Sequence, residues 1–349
     1  MKTIKCGIIG CGVIAPSHIE SYQNMPGAEV IWACDIVKQK AVDTAAKYHI
    51  PRVATDFMEL LADPDLDAVS ICTDHSSHAA IAIAALEAGK HVLCEKALTI
   101  SLTSLEAMEK VHAAHPGLVF AGVFQHRHEQ LTQMLRELVE RKAFGTISCF
   151  NLNSNCWRSN DYYRQDQWRG TWKYEGGSLL INQAIHFIDL YQWIGGGVAE
   201  LCARCENLTH QGVIETEDTA AAAVRFKSGA LGAISATSSS VEDWRHVLTI
   251  SGNEGFVELH NDELVYYKFT RPEIQEEVKT RIQACKDEKQ LQVGKQYYGE
   301  GHPAQIKDFV EAIREKRDPY VPAAAARDAV RIVLACYESS QKGGWVKLP

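Results

Sequence analysis

The opening run "IKCGIIGCGVIAPSH" sets a pattern that repeats as far as about Val123, and this pattern constrains the fold more than any other feature. Short apolar runs ("IKCGIIG", "EVIWACD", "AVSICT", "HVLCEK", "VFAGVF") alternate with helix-length amphipathic stretches ("KQKAVDTAAKYH", "AAIAIAALEAG", "SLTSLEAMEKVHAAH"). Strands separated by helical segments of that length cannot pair as hairpins; they pair in parallel, with helices as crossovers. From about Phe150 the periodicity changes: "AELCARCENL", "TAAAAVRFKSGALGAISATSSS" and "HVLTISGNEGFVELHNDELVYYKF" are strand-like runs broken by Gly, Asn and Asp at hairpin spacing. These patterns predict an α/β half over residues 1–124 and an α+β half with a mainly antiparallel sheet over 125–349. The charged stretch from Glu273 to Gln292 is expected to be an exposed excursion, with "AQIKDFVEAIREKRD" and "ARDAVRIVLACYESSQKG" as closing helices of the second half.

Composition removes several classes. A chain of 349 residues, 46% apolar, can bury the cores of two domains. A formal charge of -8 with no basic patch gives no surface for nucleic acid, and no apolar run is long enough for a membrane helix. The start of the chain lacks the character of a signal peptide, and the eleven cysteines sit mostly inside apolar runs. That usage suits a reducing compartment, so a cytoplasmic protein is expected. Cys202 and Cys205 form a CxxC with no second ligand pair, so no metal is expected.

In "GIIGCGVIAPSH", Gly10, Gly12 and Ala15 follow the first strand with GxGxxA spacing, and Val13 and Ile14 lead into the helix. Small residues there let the backbone approach a pyrophosphate at the helix N-terminus. Asp35 closes the second strand at the distance where a carboxylate accepts hydrogen bonds from the adenosine ribose. Ile36 follows in place of an arginine that would hold a 2'-phosphate, so NAD is expected rather than NADP.

At "AGKHVLCEKALT", with "SICTDHSSHAAIAIAALEAGKHV", "GGSLLINQAIHFIDL" and "EDTAAAAVRFKSGALG", the sequence resembles the glucose-fructose oxidoreductase and inositol dehydrogenase (Gfo/Idh/MocA) family over nearly its whole length. The resemblance implies an NAD-binding Rossmann domain followed by a domain with an open, mainly antiparallel sheet. It also implies an oxidoreductase acting on CH-OH and a homodimer or homotetramer. The Glu-Lys-Pro signature of the family reads Glu95, Lys96, Ala97 here, and the resemblance places Lys96 beside nicotinamide and the hydroxyl to be oxidised, with Glu95 holding the loop or the cofactor. Desolvation there would bring a lysine toward proton exchange at working pH. Thr73 and His78 match residues lining the cofactor crevice, although Asp74 departs from the family pattern. Gln125 and Arg127 are implied to close over the cofactor, and Trp168 and Arg169 to lie near its nicotinamide end.

Asn182 and His186, four apart in a helical segment, share a face. By resemblance they occupy the acid/base positions of the inositol-dehydrogenase branch, with Asn182 replacing an Asp, so that Lys96 and His186 are the expected catalytic groups. The same Asn-Gln-x-x-His arrangement resembles the branch that oxidises C3 of nucleotide-linked sugars or of glycosides. In "CWRSNDYYRQDQWRGTWKYEGG", Arg158, Tyr163 and Arg164 are candidate contacts to a sugar or its anionic group, and Tyr298 and His302 candidates for the pocket rim. The expected reaction is hydride transfer between a ring carbon of a sugar, glycoside or nucleotide sugar, most simply C3, and NAD. The alternatives are inositol oxidation, bond cleavage through transient C3 oxidation, and a non-catalytic NAD or sugar sensor.

Overall fold

The computed structural model describes residues 2–287 and 301–349. They form two compact units, residues 2–125 with 301–327 and residues 126–287 with 328–349.

In the first unit β1 (Ile4–Ile9), β2 (Ala28–Cys34), β3 (Arg52–Ala54), β4 (Ala68–Ile71), β5 (His91–Cys94) and β6 (Phe120–Gly122) form one sheet, ordered β3-β2-β1-β4-β5-β6 and parallel throughout. Helices α1 (Ala15–Gln23), α2 (Lys38–Tyr48), α3 (Phe57–Leu61), α4 (His75–Glu87) and α5 (Leu102–Ala114) are the crossovers. Strands covered on both faces are mainly apolar, and β4 is buried along its whole length, its one hydroxyl, Ser70 Oγ, paired with Tyr22 Oη (2.9 Å). Strand order reverses between β1 and β4, and open α/β sheets bind ligands at such a point, outside the carboxyl ends of the strands.

The second unit begins with a 3-10 turn over Gln125–His128, α6 (Gln130–Glu140), β7 (Ile147–Asn155) and α7 (Asn160–Arg164). A single π-helical turn, Leu179–Gln183, then leads into α8 (Ile185–Ile194). The strands β8 (Val198–Glu206), β9 (Thr219–Phe226), β10 (Leu231–Thr237), β11 (Arg245–Gly252), β12 (Gly255–His260), β13 (Glu263–Phe269) and β14 (Val346–Lys347) complete an eight-stranded sheet, ordered β13-β12-β11-β7-β10-β9-β8-β14. Only β7 and β10 pair in parallel. Strict alternation builds its two faces: on β9, Ala220, Ala222, Val224 and Phe226 are buried while Ala221, Ala223 and Arg225 are exposed. On the covered face Phe226 stacks on Phe150, and Tyr191 of α8 lies 4.9 Å from both rings.

Two expectations need correction. The stretch from Glu273 is no excursion: Pro272–Asp287 is a helix, α9. Ile274 and Val278, one turn apart, are buried, and Arg281–Glu137 (2.6 Å) and Arg141–Glu277 (2.7 Å) tie its polar side to α6 and the turn after it. The remainder of that stretch, past residue 287, lies outside the described residues. Helix α10 (Gly301–Glu315), expected to close the second half, packs instead in the first unit. Its Ile306, Phe309 and Val310 share a core with Ile19 and Tyr22 of α1, and Arg314 donates to the carbonyl oxygens of Pro26 and Gly27. α11 (Ala323–Lys342) continues into the second unit.

Candidate active site

The first unit carries the dinucleotide features. Gly10 has φ +94°, and a Cβ there would lie 2.5 Å from the carbonyl oxygen of Cys72, so the turn after β1 admits only glycine. A Cβ on Gly12 would meet nothing within 4 Å: the backbone is open on that side, as close approach of a pyrophosphate to the start of α1 requires. Ala15 is buried against the sheet while Val13 is 58% exposed, and Ile14 occupies the N-cap position of α1. At the end of β2 the Asp35 carboxylate accepts from the backbone N–H groups of Cys11 (2.9 Å) and Val37 (2.8 Å). It thereby bridges the glycine turn and the β2–α2 turn, and Ile36 beside it is 91% exposed. These residues fit a dinucleotide.

The β5–α5 loop is built around Glu95. Its carboxylate is buried, accepts from His18 Nε2 (3.0 Å) and from the Lys96 backbone N–H (3.1 Å), and lies 3.9 Å from His302 Nε2. Burial opposes its ionisation, but the hydrogen bonds and charges of His18 and His302 hold it well below the usual carboxylate range. α1, α10 and the lysine loop therefore meet on one buried charge. Lys96 itself is partly exposed at the start of the loop. His302, expected on a pocket rim, is buried in this cluster. His78, expected to line the crevice, is fully buried: Nδ1 is 2.7 Å from Ala97 O and Nε2 3.2 Å from Thr73 O. Burial lowers its pKa, and the two carbonyl contacts offset part of that. It braces the loop following Lys96 instead of facing outward. Thr73 accepts from Ser77 Oγ (2.7 Å) at the start of α4. Gln125 is buried at the end of this unit.

In the second unit every residue from 175 to 192 is buried except two, Asn182 and His186. The pair expected from the helical spacing is thus the only part of this segment that reaches the surface of the unit. The spacing is met across a junction, since Asn182 lies in the π turn and His186 in the first turn of α8. The turn's free N–H groups are received by buried Glu217, whose carboxylate accepts from Leu180 N (2.9 Å), Ser178 N and Tyr337 Oη (2.8 Å). Burial raises the Glu217 pKa and these donors offset part of that.

Both amides of the Asn182–Gln183 pair have a fixed orientation. Asn182 Nδ2 donates to Glu175, and Gln183 Oε1 accepts from Arg158 Nη2 (2.7 Å) and Nε (3.1 Å) while its Nε2 donates to Tyr162 Oη (3.0 Å). The Arg158 guanidinium lies between the rings of Tyr162 (4.9 Å) and Trp244 (4.8 Å), and Arg169 lies over Tyr162 (4.1 Å) and Trp168 (5.0 Å). Beside His186 stands His126, ring centroids 5.4 Å apart and edge-on. Burial disfavours the charge on His126, but Glu129, accepting from Nδ1 at 2.6 Å, together with the charges of Asp262 and Asp189 raises its pKa. His246, stacked on Phe187 at 3.7 Å, is pushed down to about 3 by burial and by the charges of His126 and Arg158.

Two further expectations change, those for Tyr163 and Arg127, while Arg164 stands open at the surface. Tyr163 is a core residue, its hydroxyl 3.2 Å from Ser238 Oγ and its ring against His210. Arg164 is exposed and paired loosely with Asp161 (3.6 Å). Arg127 is buried, its guanidinium held bidentately by Asp189 of α8 (Nε–Oδ2 2.7 Å). Composition showed these side-chain types but not the direction in which each points. Tyr298 lies outside the described residues. Sequence reading missed Glu175 and His18, and gave Gln183 no role of its own; of the first two, only the acid before Gly176–Gly177 in "YEGG" gave any local signal.

Residues 4–123 match the model of the oxidoreductase family's NAD-binding Rossmann fold, and residues 136–348 that of its C-terminal alpha/beta domain. A myo-inositol 2-dehydrogenase of Thermotoga maritima is 25% identical over 99% of this chain and 98% of its own. The WlbA dehydrogenase of Bordetella pertussis, solved in complex with NADH and UDP-GlcNAcA, is 26% identical over 100% of this chain and 98% of its own, with a TM-score of 0.90. Its counterpart from Chromobacterium violaceum is 28% identical over 100% and 97%, with a TM-score of 0.89. Matched in both domains and carrying the glycine turn and Asp35 that fit the dinucleotide, the chain belongs to the Gfo/Idh/MocA family of NAD-binding oxidoreductases.

Proposed function

We propose that this oxidoreductase oxidises a ring CH-OH, at C3, of a sugar or nucleotide sugar. The observation that carries the reading is the exposure pattern of residues 175–192, which leaves Asn182 and His186 alone accessible in a buried segment. The solved relatives with NADH and UDP-GlcNAcA support a nucleotide-sugar substrate. Gly10, Gly12, Val13, Ile14, Asp35 and Thr73 would hold NAD, which supplies the hydride acceptor. Lys96 takes the hydroxyl proton, its loop kept in place by Glu95 and by the His78 contact to Ala97. His186 is the second acid/base group, and Asn182 orients the substrate. His186 works without a carboxylate at position 182, with the His126 ring edge-on beside it.

The exposed face of the second sheet, with Ala221, Ala223, Leu231 and Ala233 outward, supports a homodimer or homotetramer joined there. Light scattering should then give a multiple of 38.8 kDa. The functional test is incubation with NAD and UDP-GlcNAcA, myo-inositol or a glucoside, following reduced-nicotinamide absorbance and the sugar products by chromatography. A keto-sugar formed with stoichiometric NADH is expected. A cleaved glycoside without net NADH, or no turnover of any sugar despite NADH binding, would refute the assignment.

A further inference from the structure

We propose that His18 is a positioning residue for Lys96: through the Glu95 carboxylate it fixes the peptide from which the lysine projects, and so ties the β5–α5 loop to helix α1. The inference deepens the proposed function and rests on its assignment of the hydroxyl proton to Lys96.

His18 lies in the first turn of α1 and is fully buried, on a helix whose next buried residues, Ile19 and Tyr22, belong to the apolar core. Burying an imidazole there costs the hydration of both ring nitrogens. Nδ1 takes no hydrogen bond, and Nε2, 3.0 Å from Glu95 Oε1, makes the one hydrogen bond of the ring. An apolar side chain would fill the place at lower cost. The histidine is therefore explained by what it does to Glu95.

Glu95 can only accept. Burial opposes its ionisation, but His18 and His302 hold its carboxyl well below the usual carboxylate range, so the proton of the 3.0 Å contact belongs to His18 Nε2. His302 Nε2 stands farther off, at 3.9 Å, beyond the length of a hydrogen bond. The second carboxylate oxygen, Oε2, accepts from the Lys96 backbone N–H (3.1 Å). Carboxylate and amide belong to successive residues, so anchoring the first fixes the plane of the peptide that joins them. Beyond the lysine, the Ala97 carbonyl oxygen meets His78 Nδ1 (2.7 Å). Two buried imidazoles thus hold Lys96 through the main chain on either side of it.

Reach supplies the test. The amide nitrogen of Gln stands where an imidazole has Nε2, whereas that of Asn stands where it has Nδ1, too short for Glu95. Full-length wild type, His18→Gln and His18→Asn are compared by hydrogen exchange at the Lys96 amide and by kinetics with NAD and UDP-GlcNAcA. In the wild type this N–H should exchange about a hundredfold or more slowly than in the unfolded chain. His18→Gln should keep both that protection and kcat within about fivefold. His18→Asn should lose about tenfold or more of the protection, and its kcat should fall about thirtyfold to a hundredfold, as for a displaced reacting group. KM and NADH affinity should stay within about threefold in both variants. A role confined to filling the core would treat the two amides alike.

Equal kcat in the two variants, a wild-type Lys96 amide that exchanges as in the unfolded chain, or a His18→Asn loss carried by KM or NADH affinity instead of kcat would overturn the proposal. If a variant does not fold, exchange at Lys96 in the wild type decides alone. Exchange as expected in all three proteins, without turnover of any sugar by the wild type, would refute the function and leave the positioning role standing.

Discussion

Removing the Asp189 carboxylate tests whether buried charge sets the register of α8. Arg127 and Asp189 are bonded bidentately, with both side chains 3% exposed or less, and Trp193 lies 5.3 Å from the guanidinium. Burial pushes the Asp189 pKa up, and the Arg127 charge pulls part of that back. The pair cancels its own desolvation, so its net stabilisation is small, but Asp189→Ala removes the bidentate acceptor of a buried guanidinium. Breaking such a pair costs about 3–5 kcal/mol. At about 2–4 °C per kcal/mol for a unit of this size, the melting temperature should fall by roughly 6–20 °C. The double substitution Arg127→Met with Asp189→Leu removes both charges and should cost less than half as much. Calorimetry on the three proteins reads the difference. Asp189 lies one helical turn beyond His186, so the single variant should also lose turnover at temperatures where it is still folded. A fall below about 2 °C for Asp189→Ala, or a double variant worse than the single, would refute the account.

Three other outcomes follow from the same geometry. Gly10→Ala must place a Cβ on the Cys72 carbonyl at φ +94°, a strain of about 1–3 kcal/mol, so NADH affinity measured by fluorescence titration should drop about tenfold or more. Glu175, raised to about 7, binds a proton in the folded state that the unfolded chain has already released. Its contribution is full below the unfolded value near 4.5 and is lost as pH rises through about 7, by about 3 kcal/mol at most; wild-type melting should therefore fall relative to Glu175→Gln between pH 5 and 8. Lys96→Ala should lower kcat by about a hundredfold or more while leaving NADH affinity within about threefold, and an equal loss in both would assign Lys96 to binding alone.

The parts of this structure that were legible in the sequence are those where the backbone dictates the residue. Gly10 is required by its φ and by the Cys72 carbonyl, and Asp35 by the end of a strand, so spacing alone found both. The Asn182–His186 pair was legible because two polar side chains four apart stand out in an apolar helix. Direction was not legible: Tyr163, Arg127 and His78 have the composition of site residues, yet each points into the protein to meet a partner distant in sequence. Nor was α10, whose apolar stripe shows that it packs but not on which core. In α9 the density of charge concealed Ile274 and Val278, which dock the helix.

Glu175 illustrates why the remainder of a site escapes such reading. A π turn leaves its first N–H groups outside the ordinary helical ladder, and such turns persist only where other groups receive those donors. Here Glu217, from the β8–β9 connection, receives them, with Tyr337 of α11 as a further donor, while Glu175 holds Asn182 from the other side of the Gly176–Gly177 turn. The two acids bracket the segment that carries Asn182 and His186. Neither need touch a substrate, and each is expensive to bury, so their presence makes sense only through the residues they orient. By resemblance, the inositol-dehydrogenase branch has the carboxylate itself at position 182. This chain has an amide there, held by a carboxylate behind it.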